Sequence, residues 1–244
     1  MQYRKFVSIA RIAMAAMVLS SCTTMAPVAP VTSVTPSAQS QASMAAAYAN
    51  LALSGGKLFP LDPVTSQVRI YAFRAGAAAK LGHNHVLSAP RFTGFFYLPT
   101  SGSTDARFDL EFRLDELEID KPEYRASLGT AFATTISPGM IASTREHMLG
   151  EGNFQAEQYP LVRIHAVQII GESPKFAAKV RIEMHGQAHE MWVPLTVEGL
   201  PDHLAASGSL VLRQSDFGVK PYSALGGILA IQDEVVIDFK LLGQ

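Results

Sequence analysis

The 244-residue chain has a single cysteine, Cys22, so it cannot close an intramolecular disulfide and is not one of the stapled scaffolds common among small secreted domains. Charge is also scarce. Asp, Glu, Lys and Arg make up 17% of the residues and the formal net charge is −1, which leaves no concentrated basic face for nucleic acid. No acidic residue precedes Asp62, and no charge of either sign lies between Arg11 and Lys57. Catalytic signatures are missing as well. There is no Gly-x-Ser-x-Gly elbow, Walker A loop or GxGxxG, and Val193 stands where an HExxH motif beginning at His189-Glu190 needs its second histidine. Asp216-Phe217-Gly218 lacks the upstream Gly-rich loop and His-Arg-Asp segment of a kinase. We therefore read no enzyme here. What the chain does have is apolar content, 48%, which suits a buried core and excludes a disordered polymer.

The first residues read as an export signal. Arg4, Lys5 and Arg11 precede the apolar run from Ile12 to Leu19, which is shorter than the roughly 20 residues needed to span a bilayer. Leu19-Ser20-Ser21-Cys22 then resembles the lipobox of bacterial lipoproteins. That resemblance implies a signal peptide over 1–21 and a lipidated amino terminus at Cys22, holding the protein on a membrane of the bacterial cell envelope through its acyl chains. Thr23 follows the cysteine instead of Asp, which in a Gram-negative source resembles the pattern sorted to the periplasmic face of the outer membrane. Removal of 1–21 would leave 17 basic and 21 acidic residues, a net −4. Residues 22–56, rich in Ala, Ser, Thr and Pro, read as a flexible linker, with a short helix within Met44 to Leu53 broken by Gly55-Gly56. The folded domain is expected over 57–244.

That domain reads as all-β. Phe108, Leu110, Phe112 and Leu114 alternate with Asp109, Glu111 and Arg113, the period of a strand with one dry and one wet face. Phe176 to Met184 and Met191 to Glu198 alternate likewise, and the segment His185-Gly186-Gln187-Ala188 joins them as a hairpin. Weaker alternation at 68–73, 92–98, 161–170, 204–213 and 235–241 brings the expected strands to eight. One short helix is expected after Ser137-Pro138, with Ile141, Thr144, Met148 and Leu149 on one face and Gly150 as its stop. Eight antiparallel strands can close into a lipocalin-like barrel or pack as a sandwich, and periodicity does not choose between them.

Several segments resemble one known family. Leu61-Asp62, Val68-Arg69-Ile70 and Phe92-Thr93-Gly94 look like the opening of a YceI-like domain, and Ile141 to Met148 with Phe154 and Tyr159-Pro160 resembles its central helix. Met184-His185-Gly186 rising into Trp192-Val193-Pro194-Leu195, then Ser215-Asp216-Phe217-Gly218 and Asp233-Glu234-Val235, resembles its later hairpin and close. The resemblance implies an eight-stranded antiparallel lipocalin-like barrel whose apolar tunnel takes a polyisoprenoid or quinone-like lipid, carried or sequestered. On the assumption that the dry face points inward, the lipid-pocket candidates are Phe92, Phe96, Phe108, Phe112, Phe176, Ile182, Met184, Met191, Val193, Leu195, Leu210 and Ile237. The same residues would equally serve a core filled by its own side chains, in a protein acting as an interaction module.

Polar chemistry concentrates at Gly82-His83-Asn84-His85. Two imidazoles two residues apart can ligate one metal ion, with His147 as a third ligand, but an HxH pair alone does not define a centre and no metal is assigned. We place His83 and His85 with Arg145 at the pocket mouth, where they would meet a polar head group. Arg125, Arg145 and Lys220 are cations that a phosphate head would require. YceI-like domains also occur beside b-type cytochromes, which implies a second reading: a redox accessory protein binding quinone or metal through the His83/His85 loop.

Overall fold

The structure is a computed structural model and describes residues 36–244. Cys22 and the expected signal peptide lie outside these residues. In chain order the elements are α1 (Pro36–Leu53), β1 (Lys57–Pro60), β2 (Gln67–Ala75), β3 (His85–Ser88), β4 (Thr93–Leu98), β5 (Arg107–Arg113), β6 (Glu118–Ile119), α2 (Pro122–Ala126), α3 (Pro138–Leu149), β7 (Leu161–Glu172), β8 (Lys175–Met184), β9 (Gln187–Glu198), β10 (Leu204–Arg213), β11 (Ser223–Ala224) and β12 (Leu229–Gly243). All strand pairings among them are antiparallel.

The strands form one curled sheet in the order β1-β4-β5-β7-β8-β9-β10-β12-β2-β3-β6, with β11 on the side of β12. Twelve strands therefore replace the expected eight. All eight expected strands are present, and the added ones, β1, β3, β6 and β11, run two to four residues, too short for alternation to register. Because the sheet is continuous, a sandwich of two separate sheets does not arise. An isolated bridge between Leu61 and Gly243 joins the end of β1 to β12 across the curl. Leu61 reaches there by passing over Gly94, where an added Cβ would come within 2.8 Å of its side chain.

Alternation places the side chains as the dry-face assignment requires, with register shifts in β7 and in β12 between Ile231 and Val235. Along β7, Val162, Ile164 and Ala166 face inward, but the register against β8 shifts between Ala166 and Gln168. Val167 is the extra residue of this bulge, and the inward parity passes to Ile169. The β8–β9 hairpin turns through His185 (φ 53°) and Gly186 (φ 72°), both left-handed as a two-residue type I′ turn demands. A Cβ on Gly186 would also press on Tyr159 at 3.0 Å.

The expected helix is α3. The Ser137 hydroxyl accepts from the Met140 N–H at 3.3 Å, Pro138 opens the first turn, and the Gly150 N–H closes on the Glu146 carbonyl. The stretch expected as linker is different from its reading: Pro36–Leu53 forms an 18-residue helix, longer than Met44 to Leu53. Alanine's helix propensity supports it and Gly55-Gly56, both at positive φ, follow its end. This helix lies against the outer face of β4, β5 and β7. Tyr48, 3% exposed, stacks on Phe95 at 5.2 Å and donates to Asp109 at 2.6 Å, while Ser40 donates to Glu111 at 2.6 Å. Glu111, read as part of a wet face, is thus fully buried and paired with Arg163 at 2.7 Å. Among the described residues no helix is long and apolar enough to cross a membrane.

Candidate ligand cavity and its mouth

The inward side chains do not fill the curl. They enclose a cavity of about 530 Å³, within the size range of small-molecule sites. This overturns the filled-core reading. Nine of the twelve expected pocket residues line it: Phe96, Phe108, Phe112, Ile182, Met184, Val193, Leu195, Leu210 and Ile237. The other three do not reach it. Phe92 and Phe176 are buried in the surrounding core, and Met191 packs against that core partly exposed. Alternation identifies the face a residue occupies but not its depth along the curl; Phe176, for example, pairs with Gly171 near the closed end of the β7–β8 hairpin. Walls not anticipated come from Ile70 and Ala72 on β2, Leu229 and Ile231 on the early part of β12, and Leu114 and Leu117 in the turn after β5. The β12 residues were within reach of sequence reading, since Leu229 and Ile231 extend the alternation that begins again at Val235 after a register shift.

The cavity opens where its lining residues are also exposed. Leu81 (76%), Met140 (44%) and Tyr222 (42%) mark that rim. The polar lining gathers at the same end: Arg74, His83 and His85 from β2, β3 and the loop between them, and Ser143 and His147 from α3. His147 sits in a tilted contact with Tyr222, ring centroids 5.2 Å apart. α3 thus crosses the opening with Met140, Thr144 and Met148 turned to the cavity.

A buried ionic network holds the histidine loop. Asp120, with no side-chain exposure, receives His85 Nδ1 at 2.6 Å, the Val86 N–H at 3.0 Å and Arg125 Nη1 at 2.6 Å. Arg125 also donates to the Asn84 and Thr134 carbonyls at 2.8 and 3.0 Å, and its guanidinium lies over the Phe132 ring. Asp120 adopts φ 52°, a left-handed conformation that aspartate tolerates better than most residues, and its own N–H donates to Val86 O. Burial alone pushes the Asp120 carboxyl up. The bonds and charge of His85, the Val86 N–H and Arg125 outweigh it, so the group lies below the ordinary carboxylate range. His83 is pushed down, first by burial and then by charge on His85 and Arg125, and its buried Nδ1 has no protein partner.

The other expected mouth residue is elsewhere. Arg145 does not line the cavity; it donates to the Leu117 carbonyl at 2.7 Å and to the Asp115 carbonyl, bracing α3 against the turn after β5. Arg125 is consumed by the Asp120 network, and Lys220 is exposed, meeting Asn153 only through its main-chain carbonyl. His83, His85 and His147 line one cavity, yet among the described residues no set of three or more His, Cys, Asp or Glu side chains converges to hold a metal ion. Asp120 is the residue sequence reading missed, because its link to His85 spans 35 positions with no local pattern.

No curated protein matches the chain in sequence. Among solved structures, it is similar to BcnA of Burkholderia cenocepacia, at 16% identity and a TM-score of 0.55 over 75% of this chain and 99% of that one. It is also similar to a polyisoprenoid binding domain from Saccharophagus degradans implicated in plant cell wall breakdown, at 15% identity and a TM-score of 0.51, covering 77% and 99%. At such identities the shared property is the fold. A family model described as the YceI-like domain matches residues 59–242, from β1 through the cavity walls to the end of β12, and the chain therefore belongs to the YceI-like family.

Proposed function

We propose that this protein binds a long apolar lipid, a polyisoprenoid or quinone-like molecule, inside its curled sheet and carries or sequesters it, with no reaction performed. The observation that carries this reading is the preformed cavity of about 530 Å³, walled by Phe, Leu, Ile, Val and Met side chains and open at one rim. Such walls hold a chain by area. Burying roughly 400 Å² of lipid surface would contribute on the order of 10 kcal/mol at about 25 cal/mol per Å². Lost translational freedom and chain ordering offset much of that, so net binding depends on the cavity existing before the ligand arrives. The polyisoprenoid binding described for the Saccharophagus domain supports the same reading.

Anchoring through Cys22 belongs to this proposal. α1 starts beside Glu111 and Arg163, toward the rim end of the sheet, and runs to Gly55 beside Tyr97 at the other end. In a Gram-negative source such an anchor would hold the protein at the periplasmic face of the outer membrane.

Native mass spectrometry and solvent extraction of the protein purified from bacteria test the lipid reading. The expected result is a co-purified lipid that is lost in Ala178→Trp, a variant that places an indole in the cavity. Protein that is free of lipid in every preparation would overturn it.

A further inference from the structure

Among the described residues eleven large apolar side chains are exposed, and five of them gather at the cavity opening: Leu81, Met140, Tyr222, Leu225 and Ile228. Leu81, Met140 and Tyr222 are at once rim and lining, so the apolar wall continues from the cavity onto the surface. Leu225 and Ile228 belong to the turn between β11 and β12, where the Ile228 carbonyl accepts the Ala78 N–H at 2.9 Å and so sets the turn beside the loop of Leu81. Leu225 is held at φ 51°, a left-handed conformation that bulky side chains rarely adopt, with Gly226 and Gly227 following at 67° and 90°. Its side chain is 73% exposed, so no packing within the protein offsets that strain. A clustered apolar surface of this kind marks an interaction site.

The charges around the opening are of one sign. Three segments border it, 74–84, 126–144 and 219–231, and they carry Arg74, Lys80 and Lys220 but no aspartate or glutamate. Beyond Arg11 the chain as a whole leans the other way, with 17 basic against 21 acidic residues. Among the described residues none of the three cations pairs with a carboxylate. The first acid along α3, Glu146, lies off the cavity lining. Apolar side chains that enter the acyl boundary, ringed by cations that meet anionic head groups, are what an interfacial membrane contact requires.

We propose that the rim is a docking surface for an anionic lipid bilayer, with Leu81, Leu225 and Ile228 entering the interface and Lys80 and Lys220 resting on its head groups. The proposal rests on the lipid-binding reading above only for what passes through the opening. Docked in this way, the cavity opens onto the acyl layer, and an apolar chain moves between the two without crossing water. Met140 and Tyr222, on either side of the mouth, then continue the bilayer's apolar layer into the cavity.

The proposed Cys22 anchor would itself bring the chain to a membrane, so every chain tested is full length with Cys22→Ser, and the readout is local to the rim. Trp192 is the only tryptophan in the sequence and lies midway along β9 on the outer face. Trp192→Phe combined with Leu225→Trp moves the fluorophore to the turn. Vesicles whose acyl chains carry bromine quench an indole that enters the acyl region. With vesicles of phosphatidylglycerol and phosphatidylcholine, the indole at position 225 is expected to lose most of its emission and the parent's Trp192 almost none. In pure phosphatidylcholine the loss at position 225 should be severalfold smaller, since the attraction to the cations is missing. Lys80→Glu with Lys220→Glu in the reporter chain should erase the difference between the two vesicles, and Leu81→Ser with Ile228→Ser should lessen the loss severalfold in both. All four side chains are exposed, so the fold does not depend on them. No loss at position 225, equal loss there and at Trp192, or equal loss in the two vesicles would overturn the docking proposal. So would an indole at position 225 that vesicles leave unquenched and that self-association buries, seen as a blue shift rising with protein concentration, which would assign the surface to a second copy of the chain. Co-purified lipid is read on the same samples. Its presence with an unquenched rim overturns docking and leaves the lipid reading standing, whereas its absence with a quenched rim overturns the lipid reading and supports docking.

Discussion

Among the described residues two carboxylates, Asp120 and Glu111, are fully buried, and they are buried differently. Asp120, at the cavity rim, has three donors and a partner, Arg125, that is itself almost wholly enclosed. Glu111, on the outside of the sheet, has Ser40 and Arg163 on one oxygen, while its other oxygen has no protein partner and Arg163 stays 46% exposed. The first network is built from β3, the residue after β6, and α2, all within the family-matched residues 59–242. The second is closed by α1, which lies before that match. Burial of a charge thus serves two ends here. At the rim it fixes a histidine against a ligand cavity, and on the outer face it lets an added helix dock on a surface that would otherwise be wet.

The comparison is broken most directly by truncating each acid. Asp120→Ala strands the Arg125 guanidinium in the interior and also frees His85, and is expected to cost about 3–5 kcal/mol, read from urea denaturation. Glu111→Ala leaves Arg163 able to rehydrate at the surface and relieves an unsatisfied oxygen, so a cost of about 1–3 kcal/mol is expected by the same measurement. Equal losses in the two variants would show that the networks are not different in kind.

How far the sequence reveals this division depends on the range of the signal. β5 and β8 were legible because the two-residue period is a property of the backbone, and it survives in Phe108, Leu110 and Phe112 or in Val180, Ile182 and Met184 whatever lies beyond them. The bulge at Val167 was not read, although it leaves a trace: carrying the parity of Val162, Ile164 and Ala166 one step further would turn the polar Gln168 inward, and the extra residue restores Ile169 to that face. Nor was the burial of Glu111. A period of two says that Glu111 faces outward, but its cover is an uncharged, alanine-rich segment 71 residues away. The His83-Asn84-His85 loop stood out by composition, while Asp120, which gives His85 its orientation, carries no local mark. Barrel-like curling and an apolar cavity were legible through family resemblance, and the twelve-strand count was not, because β6 and β11 have two residues each.

A finer test asks whether each network is a unit. The Tyr48 hydroxyl, whose ionisation is pushed up first by burial and then by Asp109, anchors α1 on the outer face. Tyr48→Phe is expected to cost about 1 kcal/mol. Combined with Glu111→Ala it should cost less than the sum, because either change already loosens α1; combined with Asp120→Ala the effects should add, since the networks share no residue. A double-mutant cycle with coupling to Asp120 as large as to Glu111 would contradict two independent networks.

The smallest effect expected is also the one specific to the rim, a dependence of stability on pH. The folded His83 ring has a lower proton affinity than in the unfolded chain, where it titrates near about 6.5. The unfolded state therefore takes up more protons as pH falls through that value, and the contribution present above it is lost. Asp120 follows the same sign further down. Its folded value lies below the unfolded one of about 3.9, so its contribution is present above that pH and disappears as pH falls toward the folded value. Urea midpoints should decline first as pH falls below about 6.5 and again below about pH 4, by the linkage of each group. His83→Leu should flatten the first decline relative to the parent, and Asp120→Asn the second, while Tyr48→Phe leaves both in place. A first decline that is unchanged in His83→Leu would mean that the rim histidine is as free to ionise in the folded protein as in the unfolded chain, and the contrast between an enclosed network at the rim and an outer one open to solvent at Arg163 would then lose its electrostatic half.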